Sequence, residues 1–270
     1  MVKKCPLCGS NEIRFLVKPY RGGSIYVCGS CGNATTYPLP VVSYLEDSFF
    51  DLPADEFNTY RTYAGQITDF ISEHISKGSL LDIGTGAGFL LEAAQKRGFA
   101  ATGIDPSGPA VSFCRTRKLK VLQGYFEKYA FKSRKFKIIT CCHVLEHVTE
   151  PEKFIAKIKK ILDRNGYLFL AQTNYQGTIP HLLGRFWEGW VPREHRYHFS
   201  PEGIEDLLLR NGMRIKVLDI IPLGYTAVWR KGNGPIIRGN IYNLLNYIIS
   251  KFKIGFPFVG DQMYVLAEKL

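Results

Sequence analysis

An apolar run carrying one acid, Leu80-Leu81-Asp82-Ile83, meets a small-residue turn, Gly84-Thr85-Gly86-Ala87-Gly88, and continues at helical spacing through Phe89-Leu90-Leu91-Glu92-Ala93-Ala94. This pattern predicts a strand, a glycine loop and the start of a helix. Glycine suits the loop because the backbone must turn sharply and let a ligand lie against main-chain N–H groups at the positive end of a helix. Twenty-one residues past Gly84, a second apolar run ends in Gly103-Ile104-Asp105. In a βαβ unit that spacing offers the Asp105 carboxylate to the hydroxyls of a ribose. The segment therefore points to an α/β fold with a ligand at the strand ends.

The loop also departs from the dinucleotide pattern. A pyrophosphate site prefers G-x-G-x-x-G, whereas this chain has G-x-G-x-G with Asp82 two residues before it. A carboxylate there repels phosphate and attracts an ammonium group, which favours a cationic ligand. A simple left-handed turn without a ligand is the plain alternative, and the paired Asp105 weighs against it.

On these residues the chain resembles the class I S-adenosylmethionine-dependent methyltransferases, whose first motif is similar to Leu81–Gly88 and whose ribose-binding acid falls where Asp105 does. The resemblance covers roughly residues 55 to 270. It implies a Rossmann-like, doubly wound α/β sheet of seven strands with the last antiparallel. It also implies S-adenosylmethionine as cofactor, held by Asp82, Gly84, Thr85, Gly86, Gly88, Phe89, Asp105 and Pro106. Phe136 to Val148 looks like the fourth strand and following turn of that family, particularly of its ubiquinone-pathway and sugar-modifying branches, and main-chain cofactor contacts are expected from Cys142 and His143. Pro151 to Leu162 reads as a helix, Gly166 to Ala171 as a fifth strand, and Asp261 to Ala267 looks like the last, antiparallel strand. Where the family often has an acid after its third strand, this chain has Gly124-Tyr125-Phe126, so stacking or backbone contacts from these residues are expected to serve the adenine.

Cys5-Pro6-Leu7-Cys8-Gly9 and Cys28-Gly29-Ser30-Cys31-Gly32 are two C-x-x-C pairs separated by nineteen residues. Each pair fits a tight turn whose N–H groups face the thiolates, and four sulfurs complete a closed, structural Zn²⁺ site. Glu12 to Val17 and Ser24 to Val27 alternate enough for hairpin strands, giving a zinc ribbon over residues 1–40. A ribbon this short scarcely folds without its metal. A redox pair or core thiols are the alternatives. Cys114, Cys141 and Cys142 read as core. Residues 41–56 then form a linker, and 57–270 the methyltransferase domain with lid segments near 175–200 and 222–258.

Before the first strand, Phe57, Tyr60, Ala64, Ile67, Phe70 and Ile71 recur at helical spacing, and Tyr60 and Tyr63 either line the acceptor pocket or pack as an amphipathic face. No run of eighteen apolar residues suggests a transmembrane span, and Met1-Val2-Lys3-Lys4-Cys5 has no apolar leader, so a cytoplasmic, reducing setting is expected.

Methyl transfer from a sulfonium mainly requires positioning and a deprotonated nucleophile, so a general base is the informative residue. Glu194-His195 with Tyr197 and Phe199-Ser200 is similar to the E-H-x-x-Y-F-S segment of zinc-ribbon sugar C-methyltransferases, in which the histidine is thought to act as base; here His198 stands between Tyr197 and Phe199. The expectation is His195 as base with Glu194 as its partner, and His147 as an alternative base. Asn174, Trp187, Trp190, Tyr197 and His198 are expected to contact the acceptor, or else His195 and His198 pack against Trp187 and Trp190 as a structural lid. Glu146 and His147 equally fit a role in fixing the start of the following helix.

The net charge is +11, with nine basic residues and one acid between Arg115 and Lys137, and five basic residues and no acid between Ile220 and Gly260. Such a balance invites anionic partners, though Lys118, Lys120, Lys132 and Lys135 fit an ordinary solvated face. Ile237 to Phe252 reads as a helix that caps the pocket, packs on the domain or touches a membrane surface. Three functions follow: methyl transfer to oxygen or carbon of a small molecule such as a sugar, quinone or lipid-linked precursor; RNA methylation using the ribbon and basic face; or a non-catalytic zinc adaptor. The lack of an Asn/Asp-Pro-Pro-Tyr/Phe signature after the fourth strand argues against base amino groups.

Overall fold

The computed structural model describes residues 3–41, 56–221 and 260–270. Residues 42–55 of the expected linker, the Ile237–Phe252 helix and the whole second lid (222–258) lie outside the described residues.

The chain opens with three antiparallel strands, β1 (Ile13–Val17), β2 (Ser24–Cys28) and β3 (Ala34–Tyr37). Helix α1 (Glu56–His74) precedes β4 (Ser79–Ile83), α2 (Phe89–Lys96), β5 (Ala100–Asp105), α3 (Gly108–Thr116) and β6 (Val121–Gln123). Next come β7 (Phe136–Cys142), a 3-10 turn at Leu145–His147, α4 (Pro151–Ile161) and β8 (Leu162–Thr173). Short α5 (Thr178–Leu183), β9 (Tyr197–His198), α6 (Pro201–Arg210), β10 (Met213–Ile221) and β11 (Gln262–Lys269) complete it.

Seven strands form one sheet in the order β10-β11-β8-β7-β4-β5-β6, with β11 antiparallel to both neighbours and the central strands parallel. The expected seven-stranded sheet with an antiparallel last strand is therefore present. The central strands are buried on both faces, so their apolar residues serve two cores by period-two alternation. Leu81, Ile139, Leu168 and Leu170 pack with α4 and α6, whereas Leu80, Ile138, Phe169 and Ala171 pack with α1, α2 and α3. Helix α4 shows why the pattern folds: Pro151 fits its first turn, and Phe154, Ile155, Ile158 and Ile161 bury one stripe. Each such side chain contributes about 1.5–3 kcal/mol of burial.

Strand order reverses between β4 and β7, and the crevice beyond the C-terminal ends of these strands is where folds of this kind bind ligands. The first hairpin does not stand apart from this body. Its sheet has the order β1-β2-β3-β9, so a fourth strand comes from the segment that follows β8. Both β3 and β9 went unread in the sequence: Ala34-Thr35-Thr36-Tyr37 is too short to show alternation, and β9 is two residues long.

Candidate active site

The glycine loop forms one wall. Gly84, Gly86 and Gly88 all have positive φ, at 71°, 50° and 75°, a region costly for residues with a Cβ. Their surroundings differ. A Cβ on Gly84 would lie 2.4 Å from Val144 Cγ2, and one on Gly88 would lie 2.6 Å from Leu119 Cδ1, whereas one on Gly86 would meet nothing within 4 Å. Gly86 thus borders open space at the strand ends.

The Asp105 carboxylate ends β5 and accepts from Gly86 N at 2.8 Å and from Ser107 N at 2.9 Å, which fixes the loop against the strand. Asp82 is buried, and Thr140 Oγ1 donates to its Oδ1 at 2.7 Å. Burial pushes the Asp82 carboxyl up to about 6, although the hydrogen bond from Thr140 opposes the shift. Such a carboxylate is poised to gain from a cationic ligand. Thr140 was not singled out from the sequence; a hydroxyl inside the apolar Ile138–Cys142 part of its strand was its available signal.

Other expected cofactor residues fall differently. Thr85 is buried in the loop, and Pro106 is half-buried beside Asp105. Phe89 packs against Phe57 and under the Arg117 guanidinium. Phe126 is a core residue against Phe131 and Phe154, so its ring offers no free face for stacking. Gly124 has φ 144°, and Tyr125 remains 36% exposed, so of that trio Tyr125 alone offers an accessible ring.

The opposite wall is a group of imidazoles around one buried acid. His143 follows β7 with φ 52°, and its N–H donates to Ala171 O at 3.0 Å, while Cys142 is half-buried at the strand end. Gln262 Nε2 lies 3.1 Å from His143 Nε2, and Tyr63 OH contacts both that nitrogen, at 3.1 Å, and Gln262 Oε1, at 3.2 Å. With Gln262 donating, Nε2 of His143 accepts, and its Nδ1 faces Glu146 Oε1 at 3.5 Å. Glu146 is 1% exposed. Burial raises its carboxyl, but His143 and the imidazoles of His147 and His195 outweigh that and hold it low, at about 2. Burial pushes His195 down to about 3, with His147 adding to the shift and Glu146 opposing it, so this imidazole is neutral at physiological pH.

Donor atoms of Glu146, His147 and His195 all lie within 4.8 Å of one another, and the two rings meet edge to face at 4.8 Å between centroids. The fold brings His147 and His195 together and leaves the Glu194 carboxylate apart from them. Its side chain is exposed, and it gives only its carbonyl oxygen, 3.0 Å from His147 Nδ1. The acid that bears on His195 is Glu146, forty-nine positions earlier in the chain. Neighbours in sequence were a poor guide because the turn at Val191–His195 points adjacent side chains apart.

The expected acceptor contacts are mostly occupied internally. Asn174 is buried, its Nδ2 donating to Gly260 O at 3.2 Å and its Oδ1 accepting from Gln176 N at 3.1 Å. Trp187 and Trp190 are 1% and 4% exposed and pack with Ile25, Val27 and Ala34 of the ribbon. His198 lies between Trp190, 4.8 Å away, and Thr36 Oγ1, 2.9 Å from its Nε2. Tyr197 is 2% exposed and donates to Thr149 O. Trp187, Trp190, Tyr197 and His198 thus build the seat of the ribbon, whereas the Asn174 side chain bonds Gly260 and Gln176.

In the ribbon, Cys5 Sγ lies 3.8 Å from Cys31 Sγ and Cys8 Sγ 3.6 Å from Cys28 Sγ, with all four sulfurs within 4.8 Å. Tetrahedral Zn–S bonds of about 2.3 Å place sulfurs about 3.8 Å apart. All four are free thiols at non-bonded distance, so the set fits a closed structural Zn²⁺ site. Cys114 and Cys141 are buried in the core, as expected, and Cys142 is half-buried.

An open α/β sheet with its reversal at β4, a glycine loop there and an acid ending the next strand defines the methyltransferase class of fold. In that respect the chain is similar to a solved S-adenosylmethionine-dependent methyltransferase from Archaeoglobus fulgidus, with a TM-score of 0.59 at 16% identity over 83% of this chain and all of that one (100%). A methyltransferase domain family model matches residues 56–216, more than half of the sequence, and the chain belongs to that family. Among curated proteins it is 26% identical over 165 residues to the ubiquinone biosynthesis O-methyltransferase of Rickettsia akari, covering 57% of this chain and 65% of that one. It is 33% identical over 111 residues to the protein of the same name from Pasteurella multocida, covering 35% and 46%. The chain thus spans between about half and two thirds of the length of these relatives. Among the described residues, no helix is long and apolar enough to cross a membrane.

Proposed function

We propose that this protein transfers a methyl group from S-adenosylmethionine to an oxygen or carbon atom of a small-molecule acceptor. The observation that carries this reading is the pairing of two walls at the sheet reversal: Asp82, Gly86 and Asp105 on one side, and His143, Glu146, His147 and His195 on the other. The names of the curated relatives, which are O-methyltransferases, support oxygen as the acceptor atom.

When bound, the cofactor supplies an electrophilic methyl group on a sulfonium. Asp105 would take the ribose, and the Gly84–Gly88 loop would lie against the adenosyl portion. The Asp82 carboxylate, raised by burial, supports a positively charged ligand there. On the acceptor side, His195 takes the proton from the acceptor as its oxygen or carbon attacks, and the Glu146 carboxylate stabilises the imidazolium that forms. Its neutral state at physiological pH leaves the ring able to receive that proton without first losing one. His147 is the second proton-transfer group, and the four cysteines would hold Zn²⁺ as a structural ion.

An anionic or lipid-linked acceptor agrees with the net charge of +11, and the thiol set agrees with a reducing, cytoplasmic setting. Calorimetric titration of the zinc-replete protein with S-adenosylmethionine tests the reading, with Asp105→Ala as control. Saturable binding weakened by the substitution is expected. Absence of binding would overturn the enzyme in favour of an adaptor, and steeply salt-dependent RNA affinity would move the acceptor to nucleic acid.

A further inference from the structure

Arg196 is a main-chain bridge. Its N–H donates to Glu146 O at 2.8 Å, and its carbonyl accepts from Thr36 N at 3.0 Å. One residue of the acceptor segment is therefore tied to the buried acid on one side and to the ribbon on the other. The pairing of β9 with β3, Ala34 opposite His198 and Thr35 opposite Tyr197, extends this second attachment. Thr36 Oγ1 adds the contact to His198 Nε2.

The metal knuckle reaches the end of the same segment. Asn33 is fully buried; its Nδ2 lies 3.8 Å from Cys31 Sγ and donates to Gly203 O at 3.0 Å, while its Oδ1 accepts from Ser200 N at 3.4 Å. Gly32 O accepts from Ser200 Oγ at 3.2 Å and from Tyr175 OH at 2.5 Å. The fit is close: a Cβ on Gly203 would lie 1.9 Å from Asn33 Oδ1. Cys5, Cys28 and Cys31 also share one packed cluster with Tyr197, Phe199 and Ile204.

We propose that Asn33 and Thr36 are positioning residues for the methyl transfer, through which the metal-bound ribbon holds residues 194–200 so that His195 meets Glu146 and His147. A ribbon this small depends on its metal for folding, so the ribbon is a working part of the acceptor wall and not an appended tag. This inference rests on the functional reading above, but its structural content is separately measurable.

The test is hydrogen exchange by mass spectrometry on the zinc-loaded full chain, the same protein after chelation, and the variants Asn33→Ala, Thr36→Val and Thr36→Ser, each paired with S-adenosylmethionine titration. Chelation, Asn33→Ala and Thr36→Val should strip protection from residues 194–200 while residues 80–105 stay protected and cofactor affinity stays within about twofold. Thr36→Ser, which keeps the hydroxyl, should retain protection. With a methylated acceptor in hand, kcat should fall about tenfold or more in the first two variants at unchanged KM for the cofactor, and Thr36→Ser should restore it. Retained protection at 194–200 without metal overturns the proposal, as does equal loss across 80–105. A protein that binds no cofactor at all would sink the enzymatic reading alone, because the exchange pattern still decides the positioning role.

Discussion

The two walls of the crevice are built in opposite ways. The glycine-loop wall is drawn from one stretch of chain, Leu80 to Asp105, and its tightest link, Gly86 N to Asp105 Oδ2, spans 19 positions. The histidine wall is drawn from five separate places, with Tyr63 and His143 80 positions apart, His143 and Gln262 119 apart, and Thr36 and His198 162 apart. The first is a local supersecondary unit whose geometry follows from its own turn. The second exists only once the ribbon, α1, β7 and β11 have packed. Damage to one should therefore leave the other standing.

The largest separation is expected from His195→Ala. Loss of the proton acceptor should lower the transfer rate by about 10²- to 10⁴-fold, while cofactor affinity changes by less than about twofold. Glu146→Gln should fall between that variant and the unmodified protein, because it keeps the shape but removes the charge that stabilises the imidazolium. Single-turnover rates with calorimetry on the same preparations check both. An unaltered rate in His195→Ala would shift the base to His147.

The converse break comes from Asp105→Ala. Charge-assisted hydrogen bonds contribute roughly 1.5–3 kcal/mol each, so losing those to a ribose should weaken cofactor binding by about 10²-fold. Exchange protection at residues 194–200 should not change. If that segment loosens too, the walls are coupled more tightly than their construction implies.

This contrast also explains what could be read from the chain in advance. Asp82, the three loop glycines and Asp105 could be located because strand, turn and helix periodicities each operate over a few residues. The four cysteines were legible for the same reason, as two short spacings. Glu146 as the partner of His195 was not, since Glu194 was the nearer acid in sequence and only tertiary packing carries its side chain away into solvent. Trp187 and Trp190 had the polar-aromatic company of a binding loop, yet their indoles fill the joint with the ribbon. A composition-rich segment records that a surface is covered, not which molecule covers it.

A smaller effect comes from pH. Burial lifts Asp82 from an ordinary 3.8 to about 6, so its folded value stands above its unfolded one. The stability this group contributes is full below pH 3.8 and is lost as pH rises through about 6. A cationic ligand reverses the preference, because it favours the ionised carboxylate. Cofactor affinity should therefore fall by about tenfold per unit as pH drops below the folded value. In Asp82→Asn the affinity should be lower and flat over the same range. A slope that survives Asp82→Asn would assign the titration to another group.

The smallest effect separates two glycines within the loop. Gly84→Ala and Gly86→Ala both force a side chain into positive φ, at about 1–2 kcal/mol each. Gly84→Ala also drives its Cβ to 2.4 Å from Val144 Cγ2, which adds about 1–3 kcal/mol of overpacking. Gly86→Ala meets nothing within 4 Å, so its folding cost should stop at the strain. Binding should rank the pair the other way, since the new methyl at Gly86 projects into the space assigned to the cofactor, whereas that at Gly84 projects toward the turn after β7. Thermal melts with and without S-adenosylmethionine read both quantities. A Gly86→Ala protein that melts lower but is stabilised by the cofactor as well as the unmodified chain would place the adenosyl portion elsewhere along the crevice.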